Sequence, residues 1–432
     1  MTLSARFFPP MLRAACPLLI VIAIATNPRN AASQPSAPAE APNRPAFTPT
    51  IDSPKGFFLD DTVIQTIARP NGRTLLVVNS VDESPPKSFV YHPEGNHWVV
   101  ADSAAGVSKI QGLLELPGSE QFFALGKSDN DQRVLAKVFD LQTGHWRSSS
   151  ELPSEFPQKS NRILPLSNGR VLVLSTSQHR IGWVYDTKTD TWSETPEIPD
   201  VGGNVMLTNA LGRGAALAIF MSPTFQDGWA ARVYDSEKNI WRLVPPLQDS
   251  KRISPLGSTK LVDSSVLLIG RSHTAGKLFS VLLDPDALTW KATGQPPPVE
   301  SEFTQGIKTL ANGKVLMLTN QIPGNTQARL FDPKSLTWTD AGVLPADITS
   351  GLIGDAMPNG DLWVIGYGRN GPQELLRSAV TGNWVALRPM PTGFLLLVPA
   401  LNSPKAALLA LGHPRGAANS RDVVESMAYF EP

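Results

Sequence analysis

The segment Lys137–Trp146 reads KVFDLQTGHW, and four close copies of it follow in the chain. They are WVYDTKTDTW at 183–192, RVYDSEKNIW at 232–241, VLLDPDALTW at 281–290 and RLFDPKSLTW at 329–338. Each copy has a short apolar run that ends at an aspartate, and a tryptophan six residues after it. An aspartate carboxylate can accept hydrogen bonds from backbone N–H groups one or two residues further on. The segment therefore predicts a strand, an Asp-led turn and a second strand.

The tryptophans continue this spacing beyond the five copies. Trp98 and Trp384 extend the series, with intervals of 46 to 49 residues throughout, although His92 and Ser378 replace the aspartate. Upstream of four of these segments, Asn-Gly pairs separate two apolar runs, which is a strong hairpin signal because both turn residues tolerate positive φ. Each unit of about 48 residues thus carries four short strands, a pattern typical of β-propeller blades.

The two ends of the chain bear on the blade count. Seven tryptophans suggest seven blades, but another set of strands follows Trp384 and stops at MAYFEP, residues 427–432. The stretch FTPTIDSPKG at 47–56 aligns with WVALRPMPTG at 384–393, with Phe47 at the tryptophan position. We therefore expect an all-β, eight-bladed propeller over 47–432, in which the strand of Phe47 pairs with Ala428–Phe430. Seven blades with a C-terminal extension remain the alternative.

The N-terminal stretch has the layout of a secretory signal. Arg6 and Arg13 precede the apolar run Pro17–Ala25, which is too short to span a bilayer, and small residues follow at Ala31–Ser33. We expect a signal peptide over 1–33, a flexible Pro/Ala/Ser-rich leader over 34–46, and a secreted or periplasmic protein, with an uncleaved anchor as the alternative. Cys16, the single cysteine, precedes the apolar run, which argues against lipidation and leaves the mature chain without disulfides.

Composition narrows the classes of partner. Lys and Arg total 38 and Asp and Glu total 38, so the chain has no basic footprint for nucleic acid and no acidic tail. The 39 prolines and 33 glycines exceed average usage, as expected of a protein with many turns.

The Asp-turn-Trp segments resemble those of the kelch-repeat family, in particular its bacterial branch similar to the central domain of galactose oxidase. The resemblance covers residues 47–432, but the Gly-Gly that usually ends the second kelch strand is replaced here, for example by Gly270-Arg271. Galactose-oxidase relatives use a copper-radical site with a cysteine-crosslinked tyrosine. The mature chain lacks cysteine and its histidines show no ligand spacing, so we expect neither that oxidase chemistry nor any metal or cofactor.

A ring of polar residues is the best candidate site. The position just after each predicted second strand is polar in every unit, at Ser80, Lys127, Thr176, Ser222, Arg271, Asn320, Tyr367 and His413. Exposed strand ends are often polar, which is the simpler interpretation. The alternative is a set of donors around the channel mouth, for which the candidate ligand-binding residues are Lys127, Arg271, His273, Tyr367, Arg369, His413 and Arg415. Their positive charge favours an anionic ligand such as an acidic sugar.

These observations favour a monomeric binding module for a glycan or a protein, without a membrane span after signal cleavage and without an assigned catalytic residue. The alternative is a carbohydrate-active enzyme of mutarotase or lyase type. An enzyme would show a histidine or carboxylate with a shifted pKa beside an arginine in the mouth. A scaffold that acts through the outer rim would instead show an exposed apolar patch.

Overall fold

The computed structural model describes most of the chain from residue 47 onward. The described ranges are 47–49, 51–52, 63–68, 73–80, 84–158, 161–176, 181–201, 204–221, 228–247, 253–272, 277–296, 304–310, 312–321, 325–345, 348–356, 360–368, 371–389, 394–399, 408–412 and 425–429. All of them belong to the unit Arg44–Pro432. The predicted signal peptide and leader lie outside these ranges.

Within the described residues, 32 strands form eight four-stranded antiparallel sheets. The first four sheets are sheet 1, β2–β5 (Val63–Ala68, Thr74–Asn79, Lys87–His92, His97–Ala101); sheet 2, β6–β9 (Val107–Glu115, Gln121–Ser128, Val134–Asp140, His145–Ser148); sheet 3, β10–β13 (Asn161–Pro165, Arg170–Ser175, Gly182–Asp186, Thr191–Glu194); and sheet 4, β14–β17 (Val205–Gly212, Ala215–Met221, Trp229–Asp235, Ile240–Leu243).

The other four are sheet 5, β18–β21 (Ile253–Lys260, Val266–Ser272, Leu278–Asp284, Thr289–Ala292); sheet 6, β22–β25 (Thr304–Thr309, Val315–Gln321, Asn325–Asp332, Thr337–Val343); sheet 7, β26–β29 (Ile348–Ala356, Leu362–Gly368, Gly371–Arg377, Trp384–Pro389); and sheet 8, β30–β32 (Phe394–Pro399, Leu408–Gly412, Glu425–Tyr429) with β1 (Phe47–Pro49). A 3-10 turn, Ser167–Gly169, joins β10 to β11.

Sheets 1 to 7 keep their strands in chain order, whereas sheet 8 joins the two ends of the chain. Its strand order is β1-β32-β31-β30, and Phe47 pairs with Tyr429, Thr48 with Ala428 and Pro49 with Met427. This register lies one residue before the predicted partner segment. The first strand of sheet 8, β30, also lies beside β2 of sheet 1.

Burial follows the position of a strand within its sheet. Second strands such as β3 and third strands such as β12 are almost entirely buried, because their apolar runs are covered on both faces. Fourth strands such as β9 and β13 are short and mostly exposed. The middle strands of each sheet therefore supply the core.

The core consists of separate clusters, each between two consecutive sheets. Phe123 and Val138 of sheet 2, for example, pack with Val173 and Tyr185 of sheet 3. Equivalent clusters join sheets 1 and 2, 3 and 4, 4 and 5, 5 and 6, and 6 and 7. Sheets 2 to 6 thus bury both faces against their neighbours, as expected of a repeat architecture.

Five of the seven repeated tryptophans donate a hydrogen bond to the preceding sheet or to the connection that follows it. The indole Nε1 of Trp146 donates to Ser88 Oγ at 2.8 Å, and Nε1 of Trp338 donates to Ser280 Oγ at 2.9 Å. Trp241 and Trp384 make the same kind of bond to Thr195 Oγ1 (3.2 Å) and to the Ala341 carbonyl (2.7 Å). Trp290 donates to the Pro245 carbonyl at 2.8 Å. These tryptophans are structural rather than ligand-binding.

The Asp-led turns form as expected, with a small difference in the donors. Asp140 Oδ1 accepts from the N–H groups of Gln142 and Thr143, both at 3.0 Å. The donors are two and three residues further on rather than one and two, because the carboxylate lies under the middle of the turn. The same bonds occur at Asp235 and Asp284.

The Asn312-Gly313 turn is not the two-residue type that the sequence suggests. Gly313 has φ +82°, but Asn312 is not among the residues with positive φ. The N–H of Gly313 donates to the Leu310 carbonyl at 2.9 Å, and the N–H of Leu310 donates to the Lys314 carbonyl at 2.8 Å. Such a loop is one residue longer and needs only one left-handed residue, the glycine, which explains why other sheets use different residues before it.

Candidate functional site

The two ends of each sheet differ in the strand connections that they carry. Turns between first and second strands and between third and fourth strands lie at one end, the turn end. The connections from second to third strand and from fourth strand to the next sheet lie at the other, which we call the loop face. Because neighbouring strands are antiparallel, all the candidate ligand-binding residues that the structure describes fall at the loop face.

The ring of polar positions lies slightly further inside the sheets than predicted. Strand β7 continues to Ser128 and β19 to Ser272, so Lys127 and Arg271 lie within their second strands rather than after them. The backbone of Tyr367 likewise lies within β27 and pairs with Pro372. The strands are longer because the second and third strands stay paired up to these residues, as between Lys127 and Val134.

Lys127 already has hydrogen-bond partners. Its Nζ donates to the Gln132 carbonyl at 2.8 Å, within its own loop, and to the Gln158 carbonyl at 3.0 Å, in the connection to sheet 3. Gln158 Oε1 in turn accepts from the N–H of Val134 at 2.7 Å. An anionic ligand at Lys127 would have to replace these carbonyls. The observed role of Lys127 is therefore to link two loops through these hydrogen bonds.

The structure brings few of the candidate residues together. Lys127 belongs to sheet 2, whereas half-buried Arg271 belongs to sheet 5, where it pairs with Leu278 and Ser254. His273, Arg369, His413 and Arg415 lie outside the described residues. The cluster of positive charge predicted at the channel mouth therefore remains a prediction.

A cavity of about 290 Å³ lies at the loop face of sheet 5. It is lined by Ser272, Lys277, Leu278, Phe279, Ser280, Thr293 and Gln295. The lining combines hydroxyl groups, an amide and an ammonium group with one aromatic ring. Sequence reasoning missed this site, because its residues come from one second strand, one third strand and the connection after the fourth.

Three buried cations between sheets were also missed. Lys137, Arg232 and Arg329 each stand three residues before the turn aspartate, where other sheets have apolar residues such as Val281. Lys137 Nζ donates to Ser148 Oγ at 3.0 Å, Arg232 Nε to the Pro199 carbonyl at 2.9 Å, and Arg329 Nη1 to Asp340 Oδ1 at 2.8 Å.

Burial lowers the pKa of Lys137 and of Arg232. All three cations form hydrogen bonds within their own sheet or to the connection that precedes it. A charged residue inside an apolar run is the sequence feature that could have revealed them.

Other shifted pKa values have structural causes. Burial raises the pKa of Tyr185 to about 12, helped by its hydrogen bond to Asp190, and burial also raises the pKa of Tyr234 to about 12. The N–H of Lys334 donates to Asp332 and holds the pKa of that carboxyl below its usual range. Among the described carboxyl groups with a clear shift, each pKa is lowered, as in a hydrogen-bonded turn.

The turn end and the outer rim carry the remaining groups of interest. His145, at the start of the fourth strand of sheet 2, is 67% exposed, and its Nδ1 contacts Asp102, the residue after the fourth strand of sheet 1. Exposed apolar side chains on fourth strands include Val100, Leu243 and Val385, which belong to sheets 1, 4 and 7. The described residues contain no group of three or more His, Cys, Asp or Glu placed to hold a metal ion. In the same residues, no helix has the length and apolarity to cross a membrane.

No protein-family model and no curated protein matches the sequence. Solved structures do resemble the fold. Dipeptidyl peptidase 4 from Porphyromonas gingivalis matches 83% of this chain with 9% identity and a TM-score of 0.54, and 59% of its own length is covered. A prolyl endopeptidase structure matches 82% of this chain with 11% identity and a TM-score of 0.51, and 55% of it is covered.

The β-propeller domain of the Trilobed protease from Pyrococcus furiosus matches 76% of this chain with 9% identity and a TM-score of 0.46, and 97% of it is covered. The chain spans little more than half of the two peptidases, and at these identities the likeness concerns the fold alone. The consecutive four-stranded antiparallel sheets, for their part, have the architecture of a β-propeller.

Proposed function

We propose that this protein is an exported, kelch-like propeller that binds a glycan or a protein through its loop face. The observation that carries the proposal is the contrast between the two ends of the sheets. At the turn end, short turns close on themselves, as Asp140 and Gly313 show. The loop face instead carries the described cavity and the candidate cation Arg271. Variable connections on a rigid scaffold are where binding groups are usually found.

The propeller we propose has eight blades and is closed by the strand at the start of the described chain. The pairing of Phe47–Pro49 with β32, and the position of β30 beside β2, support this closure. Closure would leave no sheet edge at the point where the two chain ends meet. In the alternative, seven blades with a C-terminal extension, sheet 8 would not be needed to close the propeller.

Export is part of the same proposal. The arginines before the apolar run and the small residues after it support a signal peptide over 1–33, followed by the leader over 34–46. The mature protein would be a secreted or periplasmic monomer. The balanced charge supports a partner other than nucleic acid.

The experiment is a glycan array probed with the mature protein, followed by titration of each hit. Arg271→Ala and His413→Ala test the loop face. Arg213→Ala is the matched control, because this 91% exposed arginine lies in the first turn of sheet 4, at the turn end. We expect the first two variants to lose affinity about fivefold or more and the control to bind normally.

Two outcomes would contradict the proposal. Full affinity in both loop-face variants, with loss in Arg213→Ala, would place the ligand at the turn end. Conversion of a bound glycan into a new product would show an enzyme rather than a binding module.

A further inference from the structure

We propose that the cavity in sheet 5 is a binding subsite for a single sugar unit that carries a carboxylate. The inference rests on the proposed binding function and names the ligand class for one part of the loop face. The volume of the cavity, about 290 Å³, is close to the lower limit of the roughly 300–1,000 Å³ typical of small-molecule sites. One ring with its substituents fits a space of this size.

The fourth strand of sheet 5 pairs with the third over the same four residues as in sheets 2, 3 and 4, but the bond that follows the strand is different. In sheets 2, 3 and 4, the N–H of the residue after the fourth strand donates to the carbonyl four residues before the turn aspartate: Ser149 to Ala136, Thr195 to Gly182 and Val244 to Ala231. In sheet 5 the corresponding carbonyl, that of Ser280, accepts the Thr293 hydroxyl at 2.8 Å instead. The N–H of Gly294 donates to the Leu336 carbonyl of sheet 6 at 2.7 Å, while the Gly294 carbonyl accepts from Ser280 Oγ at 3.3 Å. After β21 the chain is therefore held to β20 through side-chain hydroxyls instead of the backbone N–H of Thr293.

An aromatic ring borders this space, and the local sequence makes room for it. The ring of Phe279 lies over Gly270, the residue with which it pairs. A Cβ at Gly270 would lie 2.1 Å from Cε1 of that ring, so no other residue permits this position of the ring. Phe279 is only half-buried and lines the cavity. A sugar ring could place its apolar C–H face against the phenyl ring and remove both from water.

Polar groups complete the lining. The Ser280 hydroxyl accepts from Trp338 Nε1 at 2.9 Å, so it belongs to the contact with sheet 6. Lys277 and Gln295 are exposed, and no hydrogen bond or ion pair to another described residue holds the Lys277 ammonium or the Gln295 amide. An amide supplies a donor and an acceptor, as sugar hydroxyls require, whereas an ammonium group only donates and prefers an anion. This set suits a uronate better than a neutral hexose.

The test compares the binding of D-glucuronate and D-glucose to the mature protein. Each sugar is titrated, and its binding is measured by ligand-detected NMR. Lys277→Gln removes the charge with little change in shape. Lys188→Gln is the control, since Lys188 is an exposed lysine in a turn-end loop of sheet 3. We expect a dissociation constant on the order of 1 mM for glucuronate, as is reasonable for a small ligand in an open site. Glucose should bind about fivefold more weakly.

In Lys277→Gln, affinity for glucuronate should fall to the level of glucose, and affinity for glucose should not change. Lys188→Gln should match the unmodified protein, and equal melting temperatures would show that both variants fold.

Each other outcome has one meaning. If glucuronate binds no better than glucose, or if Lys277→Gln and Lys188→Gln behave alike, the subsite is wrong, while glycan or protein binding elsewhere on the loop face can still hold. If the array and the titrations give no sugar ligand of any kind, glycan binding fails as the proposed function, and the subsite fails with it.

Discussion

Deletion of residues 45–55 should destabilise the propeller, because this segment supplies the outer strand of sheet 8. Phe47–Pro49 forms three antiparallel pairs with β32, a ladder of about two to four hydrogen bonds. Beyond it, the N–H of Ile51 donates to the Asn96 carbonyl at 2.8 Å, and the Ile51 carbonyl accepts from the N–H of Trp98 at 3.1 Å. The segment therefore contacts both sheet 8 and sheet 1.

These bonds set the size of the expected effect. At a net value of roughly 1 kcal/mol each, about five bonds contribute about 5 kcal/mol to the free energy of unfolding. A cooperative unit of this length has an unfolding entropy of roughly 0.8 kcal/mol per degree near its midpoint. The deletion should therefore lower the melting temperature by about 6 °C.

The measurement is thermal unfolding followed by circular dichroism, on the mature protein and two deletions of equal length. Deletion of residues 34–44 is the control, because that segment lies before the paired strand, and it should leave the melting temperature unchanged. Equal melting temperatures for the two deletions would refute the reasoning. They would mean that the contacts of β1 do not stabilise the fold and that the eight-bladed closure is wrong.

Three further predictions concern export, the tryptophan contacts and pH. Intact-mass measurement of exported protein should give an N-terminus between about Thr26 and Gln34, and retention of Met1 would contradict the signal peptide. A double-mutant cycle with Trp146→Phe and Ser88→Ala should give a coupling energy of about 1 kcal/mol, the net value of the bond that joins them; strictly additive effects would show that the bond contributes nothing. The pKa of Asp332 is lowered on folding, so its contribution to stability is present above the unfolded pKa, near 3.9, and is lost as pH falls through the lower folded value. The melting temperature of Asp332→Asn should accordingly fall less than that of the unmodified protein in this acidic window, and parallel curves would contradict the assignment.

Much of the fold could be predicted from spacing alone. The interval between tryptophans fixes the length of a unit, and the Asp-led turn fixes where its third strand ends, since both are local properties of the chain. The partner of β1 could also be predicted, because Phe47 occupies a position that the repeat leaves unfilled. The register was wrong by one residue, since nothing in the three-residue strand itself distinguishes the two alignments.

The candidate site was harder to predict, because it depends on contacts between distant residues. Lys127 reads as a polar strand end, but its ammonium group is taken up by two carbonyls, one of them 31 residues away. The cavity in sheet 5 depends on which group of Thr293, the backbone N–H or the hydroxyl, bonds to Ser280. No periodicity in the sequence encodes that choice.

The acceptors of the tryptophan N–H groups have a consequence for how the chain can diverge. Where the acceptor is a hydroxyl, as at Ser88 and Ser280, a change at that position removes the bond, so two distant codons are coupled. Where the acceptor is a main-chain oxygen, as at Pro245 and Ala341, it is present whatever residue stands there, so the bond itself does not depend on the side chain. Repeats of this kind can therefore differ in sequence at the acceptor position and still keep the indole hydrogen bond to the preceding sheet.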